Sequence, residues 1–457
     1  MFSSQKPSPS PAVVLRLRRA STGGWGLLLA AVCMAASATP PELPAPPREL
    51  TTVAPPTLPQ NPARPASAPT AQAMSSALQQ DGAQAALALA DRALADSRIA
   101  YGPEDGRLSV PLIQQGHLRQ AAGDAAGALA DYLRAVELAE AQGGPRDPRL
   151  YEAWYGMGYL HLAQGQVLPA QVAFANALQL HRLGRGLYSA GQLEVLQALA
   201  VATDASGDRE DADEWQIRRV EVAERVYHDD PAQLAALYVS AGRWFREAGN
   251  SPNAIGLHAQ AVQLLDNNGG REQAALFEPL LELALSGGLR RREIDQPSLS
   301  PGIQPATALA RAERILSAQS AAPAAQQAAQ WLRLGDVHIT LGRDGPALEA
   351  YARAAELERT AGQPVTLVQP KFLQLAVPQA RVAGSGGVLI AEFDVDAQGR
   401  VLKPRIVQRQ PQNLPTSVDN ALLQALRAAR LRPAIRDGKP QSSQGLRYRL
   451  SVGGDSA

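Results

Sequence analysis

From residue 72 to residue 361 the apolar positions recur every three to four residues, the spacing of helices with one buried stripe. A longer rhythm lies over this one. Gly123, Gly165, Gly207 and Gly249 stand 42 residues apart. Seven residues before each come Gly116, Gly158, Ala200 and Gly242; five after come Ala128, Ala170, Ala212 and Ala254; nine after come Tyr132, Phe174, Gln216 and His258. After an irregular interval the set returns as Trp331, Leu334, Gly335, Gly342, Ala347, Tyr351 and Ala354. A less regular pair fits before it, from Gln84 to Ser97, and a degraded one lies between Ala274 and Ser320, broken by Pro297, Pro301 and Pro305. The rhythm predicts stacked helical hairpins. Each 42-spaced glycine ends a first helix in a conformation glycine takes cheaply. Small residues let the two helices cross closely, with Gly158 facing the region of Ala170 and Trp154 and Phe174 filling the space beside it.

At the end of the chain the period drops from helical to two. In Val388–Val395, Leu389, Ala391, Phe393 and Val395 point one way and Val388, Ile390, Glu392 and Asp394 the other, a strand with one face on a core. Asp396 to Gly399 has the composition of a type I turn. Val401–Gln408 returns antiparallel, with Pro404 at a bulge or an edge. Ser417 caps a helix whose stripe is Val418, Ala421, Leu422, Ala425 and Leu426. Leu446, Tyr448, Leu450 and Val452 form a last alternating run with Arg447 and Arg449 on its other side. The expected order is β-β-α-β, an antiparallel sheet with two edges.

Both patterns resemble known families. The hairpin rhythm resembles tetratricopeptide (TPR) repeats, in the longer style of kinesin light chains. The runs V-D-x-x-G-x-V (Val395, Asp396, Gly399, Val401), V-D-N-A-L (Val418–Leu422), R-L-R-P (Arg430–Pro433) and G-K-P (Gly438–Pro440) resemble the C-terminal domain of TonB-type energy transducers. Three positions depart from that family's pattern. Phe372-Leu373 replaces a Tyr-Pro, Arg430-Leu431 an aromatic pair, and Arg409-Gln410 a pair of small residues. The expected fold is mainly α: a TPR-type α-solenoid over residues 72–361, then a small α+β domain over 369–453.

Ahead of the helices, residues 40–69 hold 11 prolines and few large apolar side chains. Residues 39–71 therefore read as an extended, semi-rigid linker. Arg16, Arg18 and Arg19, an apolar run from Trp25 to Ala36, and Ala36-Ser37-Ala38 read as an export signal over residues 1–38. The apolar run is short of the roughly 20 residues of a membrane span. The TonB resemblance implies instead an uncleaved inner-membrane anchor, and the absence of charge between Arg19 and Glu42 leaves room for one. The expectation is a periplasmic protein with a cleaved signal, the anchor being the alternative. The only cysteine, Cys33, falls in this segment, so the mature chain has no disulfide.

Net charge is +1, divided as +7 from Ala361 onward and −6 before it. A basic C-terminal domain suggests acidic protein segments or an anionic envelope surface as partners; the export signal argues against nucleic acid. Catalytic chemistry finds no support. No H-E-x-x-H, G-x-S-x-G or cysteine cluster occurs, so no catalytic residue, metal site or cofactor is expected. His161, His258 and His338 occupy helix slots normally filled by aromatics and read as core. Gly384 to Gly387 precedes a strand and reads as a flexible entry rather than a phosphate loop.

What remains is binding. The first-helix positions expected to face a solenoid groove include Tyr155, Tyr159, Arg243 and Asp336. The TonB resemblance implies strand addition of an extended partner segment, in that family from an outer-membrane transporter. The edge expected to take it is Gln444–Val452, with Gln444, Leu446, Arg447, Tyr448, Arg449 and Leu450 as contact residues. Arg447 and Arg449 equally suit the charges that keep a sheet edge from aggregating. The alternative function is an envelope scaffold working mainly through its TPR groove.

Overall fold

The computed structural model of the chain describes residues 43, 53–269, 273–288, 304–319, 322–362, 369–375, 381–382, 387–436 and 439–454. The expected export signal over residues 1–38 and most of the expected linker before Val53 lie outside the described residues. Residues 41–457 form one compact unit.

Helices pair in chain order: α1 (Ala71–Gln80) with α2 (Ala83–Tyr101), α3 (Ser109–Ala121) with α4 (Ala125–Gly143), α5 (Leu150–Ala163) with α6 (Val167–Arg185), and α7 (Gly191–Ala205) with α8 (Arg209–Val226). Then come α9 (Pro231–Glu247) with α10 (Ser251–Gly269), α11 (Phe277–Gly288) with α12 (Pro305–Ala318), and α13 (Ala324–Thr340) with α14 (Asp344–Thr360). The 42-residue glycines do what the sequence required of them: Gly165, between α5 and α6, has φ +73°. In two of these turns the next residue starts the second helix, the Asp124 and Asp208 carboxylates accepting from the Gly127 and Asp211 amides.

The close crossing works differently from the expectation. Gly158 faces the ring of Phe174 rather than Ala170; a Cβ there would stand 2.7 Å from the ring. Gly116 meets Tyr132 in the same way, Gly242 the ring of His258, and Gly335 the ring of Tyr351. Each of these four first helices therefore lays its missing side chain over a ring sixteen residues onward. In α7 the glycine is Ala200 and the ring becomes Gln216, both fully buried. Gln216 donates from Nε2 to Gln197 Oε1 at 2.7 Å, so the non-aromatic substitute is satisfied.

After the last hairpin come β1 (Lys371–Gln374), β2 (Arg381–Val382), β3 (Gly387–Val395), β4 (Val401–Gln410), α15 (Thr416–Ala428), β5 (Arg430–Arg432), β6 (Ala434–Arg436), β7 (Lys439–Gln441) and β8 (Ser443–Gly454). The main sheet runs β2-β8-β3-β4. Its long strands are antiparallel, and β2 joins the end of β8 in parallel. Leu389, Ala391, Phe393 and Val395 of β3 and Leu446, Tyr448, Leu450 and Val452 of β8 fill one core with Val418, Leu422 and Leu426 of α15. Pro404 sits beside a register shift in β4, next to Lys403 at φ +50°. The short ladders β1-β5 and β6-β7 were not expected; R-L-R-P and G-K-P supply two of their four strands, β5 and β7. α15 begins at Thr416 with Pro415 before it, so Ser417 lies inside the helix rather than capping it.

Candidate partner-binding surfaces

Two surfaces carry the candidate residues. On β8, Leu446, Tyr448 and Leu450 turn their side chains into the core, Tyr448 meeting the Phe372 ring edge-on at 5.6 Å. They can offer a partner only backbone. Gln444 and Arg449 are exposed. Arg447 is half-buried and lies 3.3 Å from Glu392, which also pairs with Arg405 across the sheet. The Arg405 and Arg447 guanidiniums hold the Glu392 carboxyl below its usual range.

One side of β8 is laddered to β3; the other is reached by β2 only at Gly453 and Gly454. Between Ser443 and Val452 that outer side receives one further described residue. The Leu43 amide donates to the Arg447 carbonyl at 2.8 Å, and the Leu43 side chain is buried in the sheet core. Backbone groups of a strand alternate sides, so Arg449 and Ser451 present their amides and carbonyls outward beside Arg447.

The first helices form the second surface. Tyr155 is buried against Phe174, and its hydroxyl donates to the Ala54 carbonyl at 2.9 Å. Tyr159, one turn on, is half-buried. Arg243 does not face an open groove. Its Nε lies 2.9 Å from Glu282 Oε1, inside a cluster with Glu278, Arg246 and Arg333. Burial opposes the charge of Glu282, but the guanidiniums of Arg246, Arg243 and Arg333 outweigh it and hold the carboxyl at about 2. Asp336 is also engaged: Oδ1 accepts from the Tyr351 hydroxyl at 2.9 Å and from Arg432 Nε at 2.8 Å, and Oδ2 accepts from Arg432 Nη2. Arg432 belongs to β5, so this pair joins the last hairpin to the sheet domain. Ile435 supports it, packed with Ile339, Ala347 and Tyr351.

Residues 378–450 match the family model for the Gram-negative bacterial TonB protein C-terminal. The sheet end of the chain carries a TonB C-terminal-type domain. The TPR-type solenoid before it stands on the hairpin geometry itself. Similar solved structures include BtubC (BKLC) from P. vanneervenii, at 18% identity over 60% of this chain and 91% of that one, TM-score 0.39. Another holds kinesin-light-chain TPR-like repeats from Podosopora anserina, at 17% over 43% and 94%, TM-score 0.38. The apo form of RapI is a third, at 12% over 63% and 90%, TM-score 0.34. No curated protein matches the chain. Among the described residues no helix is long and apolar enough to cross a membrane, and no group of three or more His, Cys, Asp or Glu is placed to hold a metal ion.

The linker residues escaped the sequence reading. Leu43, Val53 and Leu58 are, with Leu50, the large apolar side chains in a segment otherwise built of Pro, Ala and polar residues. Leu43 and Val53 are buried, and Leu58 packs beside Met74 and Leu118.

Proposed function

We infer that this protein is an exported interaction scaffold of the cell envelope. Its TonB C-terminal-type domain takes an extended segment of a partner protein along the outer side of β8. Two modules that ordinarily bind polypeptides support the scaffold reading. The observation that carries strand addition is the Leu43–Arg447 bond: this edge already accepts a backbone amide from a residue far away in sequence, and the sheet core seats that residue's apolar side chain. The basic balance of the domain favours an acidic segment, and Arg449 is the exposed cation on β8 itself. A transporter segment in the outer membrane is the partner class that the family likeness suggests, with the signal over residues 1–38 delivering the chain to the periplasm.

Calorimetry with an acidic peptide of alternating Glu and Val tests the edge. Arg449→Pro removes one outward amide and leaves the ladder to β3, because proline is tolerated where an edge amide faces solvent. Binding should fall at least tenfold in Arg449→Pro and severalfold in Arg447→Glu/Arg449→Glu. Unchanged affinity in the proline variant takes β8 out of the binding site. Mass determination of the mature N-terminus tests export, with Thr39 as the expected first residue.

A further inference from the structure

Residues 53–63, Val-Ala-Pro-Pro-Thr-Leu-Pro-Gln-Asn-Pro-Ala, run along the N-terminal end of the solenoid. Three side chains from three successive hairpins reach them. Tyr155 of α5 donates to the Ala54 carbonyl at 2.9 Å, Gln114 of α3 to the Pro59 carbonyl at 2.6 Å, and Tyr101 of α2 to the Ala63 carbonyl at 2.7 Å. The strap therefore crosses the hairpins in reverse order of sequence. Every one of these bonds runs from a side-chain donor to a backbone carbonyl. That is the recognition an extended proline-rich segment demands: proline has no amide to satisfy, while its carbonyls stand out along an open helix rising roughly 3.1 Å per residue. The accepting carbonyls stand five and then four residues apart; the first interval spans roughly 15 Å at that rise, and the second runs into the turn in which the Arg64 amide donates to the Asn61 carbonyl.

The strap is held lightly. Of residues 53–63 only Val53 is buried, against the cluster that contains Tyr155 and Phe174; Pro55, Thr57, Gln60 and Pro62 are exposed. Its described bonds to the helices are isolated ones, not a ladder. Its advantage over any other peptide is tethering, since it leads directly into α1 and so acts at high effective concentration.

We propose that the face built by Tyr101, Gln114 and Tyr155 is a receptor site for extended proline-rich protein segments. Residues 53–63 are its resident ligand, and a partner of the same chemistry must displace them. The strap is then a competitor built into the chain, and the solenoid has a partner class separate from that of the sheet edge.

The probe is a fluorescently labelled synthetic peptide with the sequence of residues 52–64, followed by anisotropy. The full chain is compared with one in which residues 53–59 are replaced by a Gly-Ser run of equal length, and with the milder Val53→Glu. Both altered chains should bind the probe at least tenfold more tightly than the intact chain. A probe with its prolines changed to alanine should bind the altered chains at least tenfold more weakly. Adding Tyr155→Phe and Gln114→Leu to the replaced chain should weaken binding about fivefold while its helical circular dichroism stays the same. The proposal is overturned if neither altered chain binds the probe better than the intact one, or if the proline-free probe binds equally well. Because β8 plays no part in these titrations, their outcome is independent of the Arg449→Pro test.

Discussion

Replacing Asp336 should loosen the TonB C-terminal-type domain from the solenoid. Asp336 sits on a first helix at a position that faces a groove in the bare repeat pattern, yet its carboxylate is spent on Arg432 and Tyr351. The two charged side chains keep only 15% (Arg432) and 11% (Asp336) of their accessible surface. Removing one partner of a buried pair costs about 3–5 kcal/mol, because the other charge is left desolvated. The residual accessibility of Arg432 lets water reach part of it, so Asp336→Leu should cost about 3 kcal/mol, the lower end of that range. Arg432→Leu should cost a similar amount. The double variant Asp336→Leu/Arg432→Leu should recover most of the loss, since two apolar side chains replace a buried pair at little net cost. Urea unfolding followed by tryptophan fluorescence, with Trp331 on the same helix as Asp336, measures each value. Hydrogen exchange at β1 and β5 reports whether the domain has undocked. A single-variant loss under ~1 kcal/mol, the range of exposed pairs, would refute the docking argument and return Asp336 to the pool of free binding residues.

Three further outcomes follow from the hairpins. Gly158→Ala drives a methyl group into the Phe174 ring and should cost about 1–3 kcal/mol in thermal or urea unfolding; adding Phe174→Leu should restore part of it. Gly165→Ala meets nothing in space but must hold φ +73°, so it should cost about 1–2 kcal/mol that no change at Phe174 rescues. His258 is buried beneath Gly242, and burial drives its pKa down from 6.5 to about 4. Its neutral form therefore contributes stability that is present above pH 6.5 and is lost as pH falls toward 4, up to about 3 kcal/mol. In His258→Gln, which borrows the residue that Gln216 supplies in the preceding hairpin, the melting temperature should fall less between pH 6.5 and 4 than in the unaltered chain. Parallel profiles would show that His258 does not titrate in that window.

The hairpins were legible because their determinants are local. A positive-φ glycine fixes a turn wherever it occurs, reinforced in two of these turns by a capping aspartate, and four such glycines at one period leave little freedom for the fold. The β3 and β8 strands were legible for a similar reason: period 2 assigns the buried face without knowledge of the neighbour. Even the ring beneath each first-helix glycine was present in the pattern, at sixteen residues' distance, although the notion of small residue against small residue misassigned its partner.

What only the tertiary structure decided is which polar groups are already taken. Arg243 and Asp336 carry the right chemistry at groove positions, but Glu282 lies 39 residues from the first and Arg432 96 from the second. No local spacing encodes such pairings. The linker is the strongest case. Its composition dictated an extended chain, because a run so dense in prolines, which lack amides, cannot sustain a helix or a ladder, and composition stopped there. The place where that chain rests depends on hydroxyl and amide donors from separate hairpins, Tyr101, Gln114 and Tyr155, brought into line only when the helices stack. An extended segment has no interior of its own, so its position is a property of the surface that receives it.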